Sequence, residues 1–577
     1  MDIRLYMLRI MMAVLPFFAI SGRLNGQKQV ASEYVLPIKN SLSFSGGFGE
    51  LRRNHFHTGL DFRTAGRIGV PVHAVADGYI ARILVSPSGY GLALYLVHPD
   101  GHTSVYGHLS RFQSKLEQYV EEHQYRLKQF AVDLTVPSGL FSFKRGDVIA
   151  WSGNSGSSGG PHLHFEIRES KAESPQNPLF YFPAIVDKSS PRINAFYLYT
   201  NVSGNPEVTA LSRQRFETIG AHQRTTLKVK QPLEVSGPVG FGFQADDDFN
   251  GIGMRCGIYA AELYMDQEQV FSFKIDHLAF DKGRYINSHI DYEELIQNKR
   301  WIHRLFMQPG NMLDIYQSGT SKGIVLLPDS KIHAMKLVVS DARGNANVLE
   351  FKMLFKKKTI TGTKPEYSKL FYWERINEFQ NAQVKVELPA GALYENLPFL
   401  YQQQTGNRSF ISAIHQIHFA KVPIHQAYNL TIKTQPIPTR IQGKALIVLV
   451  EPNGKFSAVG GNYVDGWVTA RPRVFGNFAV AVDTIPPKIQ SLSIQQNKTL
   501  INRQKIDFKI TDNLSGIGTY YGEIDGNWVL FSYDAKSATI SFPIDKKRLV
   551  MGKTHLLKVV VEDGKENRAE YSARFYL

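Results

Sequence analysis

The sequence predicts a mostly β chain, with one larger amino-terminal unit followed by β-sandwich modules. Three observations predict it. Glycine and proline, 47 and 27 residues, punctuate all 577 positions, and β-branched and aromatic residues alternate between them. Hydrophobic residues make up 43% and aromatics 12%, which supplies packed cores and excludes wholesale disorder and collagen-like repeats. A set of short phrases also recurs in the same order in two distant parts of the chain. At roughly 100–200 residues per domain, the length corresponds to about three to five domains.

The chain opens with Arg4 and Arg9, an apolar run from Ile10 to Ile20, and then Ser21, Gly22 and Gly26. This is the tripartite pattern of a secretory leader, assigned to residues 1–26, with cleavage after Ser21 or Gly26. Its apolar run is about half the roughly 20 residues that span a bilayer. No later segment is long and apolar enough to do so. The expectation is an exported soluble protein, periplasmic or at the cell surface. The sole cysteine, Cys256, lies far from the leader, which excludes a lipoprotein anchor there. One cysteine also excludes intrachain disulfides and zinc ribbons, so any metal must be held by His, Asp or Glu. Cys256 reads as a small core residue.

Residues 30–186 form the first unit. Within it, Ser114 to Phe130 has helical periodicity, with Leu116, Tyr119, Val120, Tyr125, Leu127 and Phe130 roughly on one face. Gly69 to Ala81 reads as a strand, a turn at Asp77-Gly78, and a second strand. Pro99-Asp100-Gly101 is a hairpin turn flanked by His98 and His102. It returns Thr103 to Tyr106 as a strand, with His108 just past its end.

A second unit, 187–355, opens with Asp187, Pro191 and Ile193. The same spacing recurs at Asp483, Pro487 and Ile489. Asp247 with Gly251-Ile-Gly253 matches Asp512 with Gly516-Ile-Gly518. His333 to Asp341 matches His555 to Asp563, each followed four residues later by asparagine, Asn345 and Asn567. Three ordered matches predict a duplicated module, with an immunoglobulin-like β-sandwich at 187–355 (long copy) and at 483–577 (short copy). The long copy has extra sequence at about 255–330 and a second candidate helix, Tyr292 to Leu305. Between the copies, 356–482 begins with the basic Lys356 to Lys358 and reads as a further β-sandwich of unassigned role.

The chemistry concentrates in the first unit. Nine of 18 histidines (55, 57, 73, 98, 102, 108, 123, 162 and 164) fall within residues 55–164. In His57-Thr-Gly-Leu-Asp61, an extended backbone puts 57, 59 and 61 on one face, with no side chain at Gly59 between them. An imidazole and a carboxylate can then meet a metal. A Gly/Ser loop from Gly153 to Gly160 feeds His162-Leu-His164-Phe-Glu-Ile-Arg168. Alternation assigns Leu163, Phe165 and Ile167 to the core and His162 and His164 to the other face. Either both histidines ligate one metal, or one ligates while the other acts as base.

These motifs, with Tyr106-Gly-His108-Leu109 between them, resemble the lysostaphin-like zinc metallopeptidases, the LytM or β-lytic family. The resemblance covers about 45–180. It implies an antiparallel-sheet zinc peptidase domain with a groove and one Zn2+. His57, Asp61 and His164 would be the metal ligands, and His108 and His162 the catalytic histidines. One of the two, with His162 the first choice, would be the general base for a zinc-activated water, and the other would orient the water or stabilise the tetrahedral intermediate; the resemblance leaves the order of the two roles open. The remaining five histidines of the cluster read as turn or scaffold residues. The family's substrates imply hydrolysis of peptidoglycan stem-peptide cross-links. The alternative is a non-catalytic scaffold of the same fold that activates a cell-wall amidase. This sequence keeps all five residues, which favours the enzyme. One departure is the stretch between Leu109 and Gly146, longer than usual for the family, which is expected to line or cover the groove.

Lys+Arg of 66 against Asp+Glu of 51 gives +15, read as solubility or as attraction to an anionic wall polymer. The sandwiches can bind a protein or wall polymer; no nucleic-acid partner is expected. His415-x-x-His418 with His425 mimics a metal cluster, but it sits in an apolar β context. Asp246 to Gly251 begins like a calcium loop, but position twelve is Gly257 where a bidentate Glu is required. A turn is the reading there, with a looser calcium site as the alternative.

Overall fold

In a computed structural model of the chain, the described residues are 34–39, 41–200, 211–221, 223–251, 255–319, 321–357, 366–494, 497–500, 504–545 and 548–577. The leader assigned to 1–26 lies outside them, as does Lys358. Among the described residues, no helix is long and apolar enough to cross a membrane.

The architecture is mostly β. The first unit is a ten-stranded sheet. Its functional strand, His162–Glu169, pairs with His102–Phe112 on one edge and with Leu60–Arg63 and Ser174–Gln176 on the other. Leu163, Phe165 and Ile167 are fully buried among Phe62, Ile83, Leu94 and Tyr106, so alternation turns His162, His164 and Glu166 to the opposite face. The hairpin at Pro99-Asp100-Gly101 is present: Val97 pairs with Thr103, and Gly101 takes the left-handed backbone, φ +87°.

Four local readings are corrected. Strands Pro71–His73 and Gly78–Val85 both exist but do not pair with each other. The first pairs with Val148–Ser152 and the second with Leu92–Val97. The cause lies at Asp77, whose carboxylate accepts from Lys144 Nζ and the Arg145 amide, tying the bend to a distant loop. The strand expected at Thr103 to Tyr106 runs on to Phe112, so His108 lies inside it rather than beyond it. The first helix spans Ser114–Leu127, because Lys128 adopts φ +52° and ends it before Phe130. The second spans only Tyr292–Asn298. Lys299 closes it at φ +57°, and His303–Arg304 then joins the sheet opposite Phe243 and Gly242.

The duplicated phrases fold alike. His333 Nδ1 meets Asp266 Oδ2 at 2.6 Å, and His555 Nδ1 meets Asp525 Oδ2 at 2.7 Å. The following amides, Ala334 and Leu556, each donate to the same aspartate at 2.8 Å. In the carboxy-terminal unit a four-stranded and a five-stranded sheet face each other over Phe508, Ile540, Val559 and Phe575. The middle unit closes two five-stranded sheets over Val386, Leu430, Ile447 and Val480.

The units are docked by side chains. Phe48 and Phe56 of the first unit insert into the core of the second, and Phe249 of the second packs into the core of the first. The carboxy-terminal unit grips the helix Ser114–Leu127. Trp528 meets Tyr125 edge-on at 5.3 Å, the Arg548 guanidinium lies 3.6 Å from the Tyr125 ring centre, and Arg548 pairs with Glu121 at 3.1 Å.

Candidate metal centre and groove

Strand pairing sets His164 directly opposite Asp61, and His57 approaches from the turn before Leu60–Arg63. Three ligand atoms converge: His57 Nε2 and Asp61 Oδ1 at 3.1 Å, His57 Nε2 and His164 Nδ1 at 3.1 Å, His164 Nδ1 and Asp61 Oδ1 at 2.9 Å. All three residues are buried. Gly59 is needed for a reason other than clearance between ligands. A Cβ there would sit 2.3 Å from the Phe165 carbonyl, so glycine permits the close approach to the functional strand.

The remaining nitrogens of both candidate ligand histidines are held. His57 Nδ1 donates to the Gly47 carbonyl at 2.7 Å. His164 Nε2 meets Glu166 Oε1 at 2.8 Å. Glu166 is fully buried and also accepts from Thr58 Oγ1 at 2.5 Å, Tyr90 hydroxyl at 2.7 Å and Arg168 Nε at 2.7 Å. Burial opposes its charge, but the Arg168 guanidinium and His164 outweigh that and hold it well below the usual carboxylate range. Burial likewise opposes charge on His164, yet its bonds to Asp61 and Glu166 push its pKa up to about 9. A site this electronegative, with two imidazoles and one carboxylate whose outer atoms are fixed, fits a Zn2+ ion.

His108 and His162 stand beside this trio, with ring centres 4.8 Å apart. His108 Nδ1 donates to the Ser155 carbonyl at 2.9 Å, and His162 Nδ1 to the Gly160 carbonyl at 2.8 Å. In a neutral ring whose Nδ1 donates, Nε2 is the acceptor. His162 Nε2 lies 3.4 Å from Asp61 Oδ1, facing the ligand set. Burial, followed by the charges of His164 and His162, pushes His108 down to about 3, so its ring is neutral. His108 takes a left-handed backbone, φ +58°, inside an otherwise extended strand. That conformation costs a non-glycine residue about 1–3 kcal/mol. It occurs where the ring turns out of the sheet's alternation into the groove.

The groove has a volume of about 640 Å³. One wall is the Gly/Ser loop at Ser157 to Gly159, and another is Leu278, Ala279, Phe280 and Gly283 of the second unit. No residue of 112–143 is among its lining, so the long stretch after Leu109 does not cover it. Those residues instead supply the helix that docks the carboxy-terminal unit. His55 lines the groove from beside a tight turn, its Nδ1 3.0 Å from the Arg53 carbonyl. Of the other clustered histidines, His98 is bonded to Asp77 and Ser104, His102 to Tyr181, and His123 to the Tyr119 carbonyl. Sequence reading missed Glu166, Arg168 and Tyr90. Alternation places Glu166 on the face of His162 and His164, so that signal was available.

The profile of peptidase family M23 matches residues 55–125. The histidine-rich unit carries this M23 match and is similar to the lysostaphins. An uncharacterized metalloprotease of Haemophilus influenzae is 32% identical over 137 residues, 23% of this chain and 24% of that protein. Lysostaphin of Staphylococcus simulans is 34% identical over 111 residues, 19% of this chain and 17% of its own length. The solved catalytic domain of that lysostaphin, 28% identical, aligns with 24% of this chain and 88% of its own, with a TM-score of 0.18. The matches thus span about a quarter or less of the curated relatives' length. Outside the M23 domain, residues 368–483 match a Zu5-like domain.

The decoy histidines stay apart from any ligand group among the described residues. His415 bonds Tyr401, His418 accepts from the Leu400 amide, and His425 stacks on Tyr285 at 4.0 Å.

Proposed function

We propose that this chain is an exported zinc metalloendopeptidase that hydrolyses peptide bonds in peptidoglycan stem-peptide cross-links. The observation that carries this reading is the convergence of His57, Asp61 and His164 with His108 and His162 at one groove. Its relatives include lysostaphin and a DD-carboxypeptidase/endopeptidase of Neisseria meningitidis, which support a cell-wall peptide as substrate.

His57 Nε2, Asp61 Oδ1 and His164 Nδ1 would hold the metal. Bound there, zinc supplies a Lewis acid that polarises the scissile carbonyl and makes water a better nucleophile. The protein's own groups do the rest. His162 presents the Nε2 lone pair nearest the ligand set and accepts the water proton. The neutral His108 ring can only accept at Nε2, so in the ground state it orients the water rather than donating to an oxyanion. A histidine protonated at Nε2 by that transfer becomes the donor to the leaving amine. The Ser155 and Gly160 carbonyls hold both rings in the required tautomer. The leader at 1–26 delivers the chain across the membrane, and the units at 187–355, 356–482 and 483–577 hold and shape the catalytic domain at 30–186.

The test has two readouts: zinc content of the purified mature protein, and muropeptide release from cell walls, for wild type and His164→Ala. Stoichiometric zinc and release by wild type, both lost in the variant, are expected. Zinc-free wild type, or equal release by the variant, overturns the reading.

A further inference from the structure

The duplicated modules each gather three aspartates that stand far apart in sequence. In the long copy these are Asp187, Asp247 and Asp341; in the short copy, Asp483, Asp512 and Asp563. Within each trio the ligand oxygens lie within 4.8 Å of one another. The surrounding bonds repeat closely. Asp341 Oδ1 accepts from the Arg343 and Asn345 amides at 2.8 and 2.9 Å, and Asp563 Oδ1 from the Lys565 and Asn567 amides at 2.8 and 2.9 Å. Asn345 Nδ2 donates to the Asp187 carbonyl at 3.1 Å, and Asn567 Nδ2 to the Asp483 carbonyl at 3.0 Å.

A second observation points to a ligand. Asp247 is only 3% exposed, and its Oδ1 is buried with no hydrogen-bond partner. Asp512, its counterpart, also has a buried Oδ1 with no partner. An unsatisfied buried carboxylate oxygen costs several times what an ordinary hydrogen bond contributes, and here the same atom is left over twice. Nor is the charge neutralised by a base. Among the described residues, no ion pair joins any of the six carboxylates to a basic side chain. Arg343 and Lys565 feel the charge of the trios, but their hydrogen bonds go to backbone carbonyls: Arg343 Nη2 donates to that of Phe182, and Lys565 Nζ to that of Gly461. Beside the long-copy trio lies a cavity of about 30 Å³, roughly the volume one water molecule occupies in the liquid.

We infer that each copy binds one divalent cation through its aspartate trio, and that the cation is calcium. The donors common to both sites are carboxylate oxygens, which suit a hard cation. Cys256 borders the long-copy site, but the chain has no second cysteine for the short copy, so a thiolate is not part of the shared design. Each trio joins the segment entering the sandwich (Asp187, Asp483) to the loop after Asp247 or Asp512 and to the hairpin turn at Asp341 or Asp563. A bound ion would therefore lock the module's entry against the modules before it, in the manner of a cross-link, independently of the peptidase reading.

The test uses the full mature chain with its M23 site loaded with zinc, so that added calcium reports only other sites. Calcium binding is measured by equilibrium dialysis, and unfolding by calorimetry with and without calcium. Two calcium ions per wild-type chain are expected, one in Asp247→Asn, one in Asp512→Asn, and none in the double variant. Calcium should raise the unfolding temperature of wild type and leave that of the double variant unchanged. The replacements are isosteric and remove like-charge repulsion. Should one of them fail to fold, wild type and the other variant still decide the matter. No calcium bound by wild type, or the same stoichiometry in a folded variant, overturns the inference.

Discussion

Lys536 Nζ, in the last β-sandwich, donates to the Ser158 carbonyl at 3.4 Å, in the loop that feeds the functional strand of the M23 domain. The same ammonium also donates to the Asn154 carbonyl. Between these two carbonyls lies that of Ser155, which holds His108, while the Ser158 hydroxyl meets His162 Nδ1 at 3.2 Å. The far end of the chain thus braces the loop that positions both proposed catalytic rings.

Lys536→Ala should therefore slow hydrolysis without unfolding the protein. Hydrogen bonds of this kind contribute about 0.5–1.5 kcal/mol net, which corresponds to a loss of roughly 2–10-fold in kcat. KM should stay near the wild-type value, because Lys536 is not among the groove-lining residues. Steady-state kinetics on a soluble cross-linked muropeptide measures it. An unchanged kcat would mean that the loop holds its shape unaided.

Glu166 is argued to fix the tautomer and direction of His164. Glu166→Gln keeps the volume but replaces an acceptor shared by Thr58, Tyr90, His164 and Arg168 with an amide. Outer partners of this type are worth about 10–100-fold in metal affinity. Competition with a zinc chelator should show a weakening of that size. Tyr90→Phe, which removes one of the donors, should give a smaller one. Equal affinity in all three proteins would refute the positioning role.

Much of this site was legible because strand alternation is a local rule. It put His162 and His164 on one face and Leu163, Phe165 and Ile167 on the other, as the fold has them. Sequence reading places His108 just past the end of its strand; it lies inside a longer one, where its left-handed backbone breaks the alternation. The repeats were legible as residue spacing, and their aspartates come together in both copies. Helix ends were overrun because Lys128 and Lys299 carry no sequence mark of the left-handed conformation that stops each helix. The groove wall at Leu278 to Gly283 was invisible for another reason. It comes from an insertion in a different unit, and only tertiary docking brings it to the proposed metal ligands.

Acid should destabilise the long sandwich through His289 and His303. Both are buried, with His289 Nε2 and His303 Nδ1 2.9 Å apart and His289 Nδ1 bonded to Tyr316. Burial pushes His303 down to about 3; burial, then His303 and Arg304, pushes His289 well below its ordinary value. A base with a lowered folded pKa binds fewer protons folded than unfolded. The stability it contributes is complete above about pH 6.5 and is lost as pH falls toward the folded value. At pH 5 the loss through His303 is on the order of 2 kcal/mol. Urea unfolding from pH 7.5 to 5 should show this slope, and His303→Gln should flatten it. Identical slopes in the two proteins would remove the pair as the cause.

The last prediction concerns the composite wall. Phe280 is 49% exposed at the rim of the groove, and the Arg168 guanidinium lies 4.5 Å from its ring centre. An exposed aromatic ring facing the proposed catalytic groove is placed to contact substrate on the side opposite the Gly/Ser loop. It touches none of the proposed metal ligands, so Phe280→Ala should act on binding and not on the chemical step. Losing an aromatic contact of about 1 kcal/mol should raise KM roughly 5-fold at nearly constant kcat. Arg168 also holds Glu166 through its Nε, so a structural effect passing through Arg168 would appear instead as weaker zinc binding. Measuring KM, kcat and zinc affinity on the same Phe280→Ala preparation separates the two. A rise in KM alone supports a substrate wall supplied by the second unit. A fall in zinc affinity with KM unchanged would show that Phe280 serves the metal centre from behind.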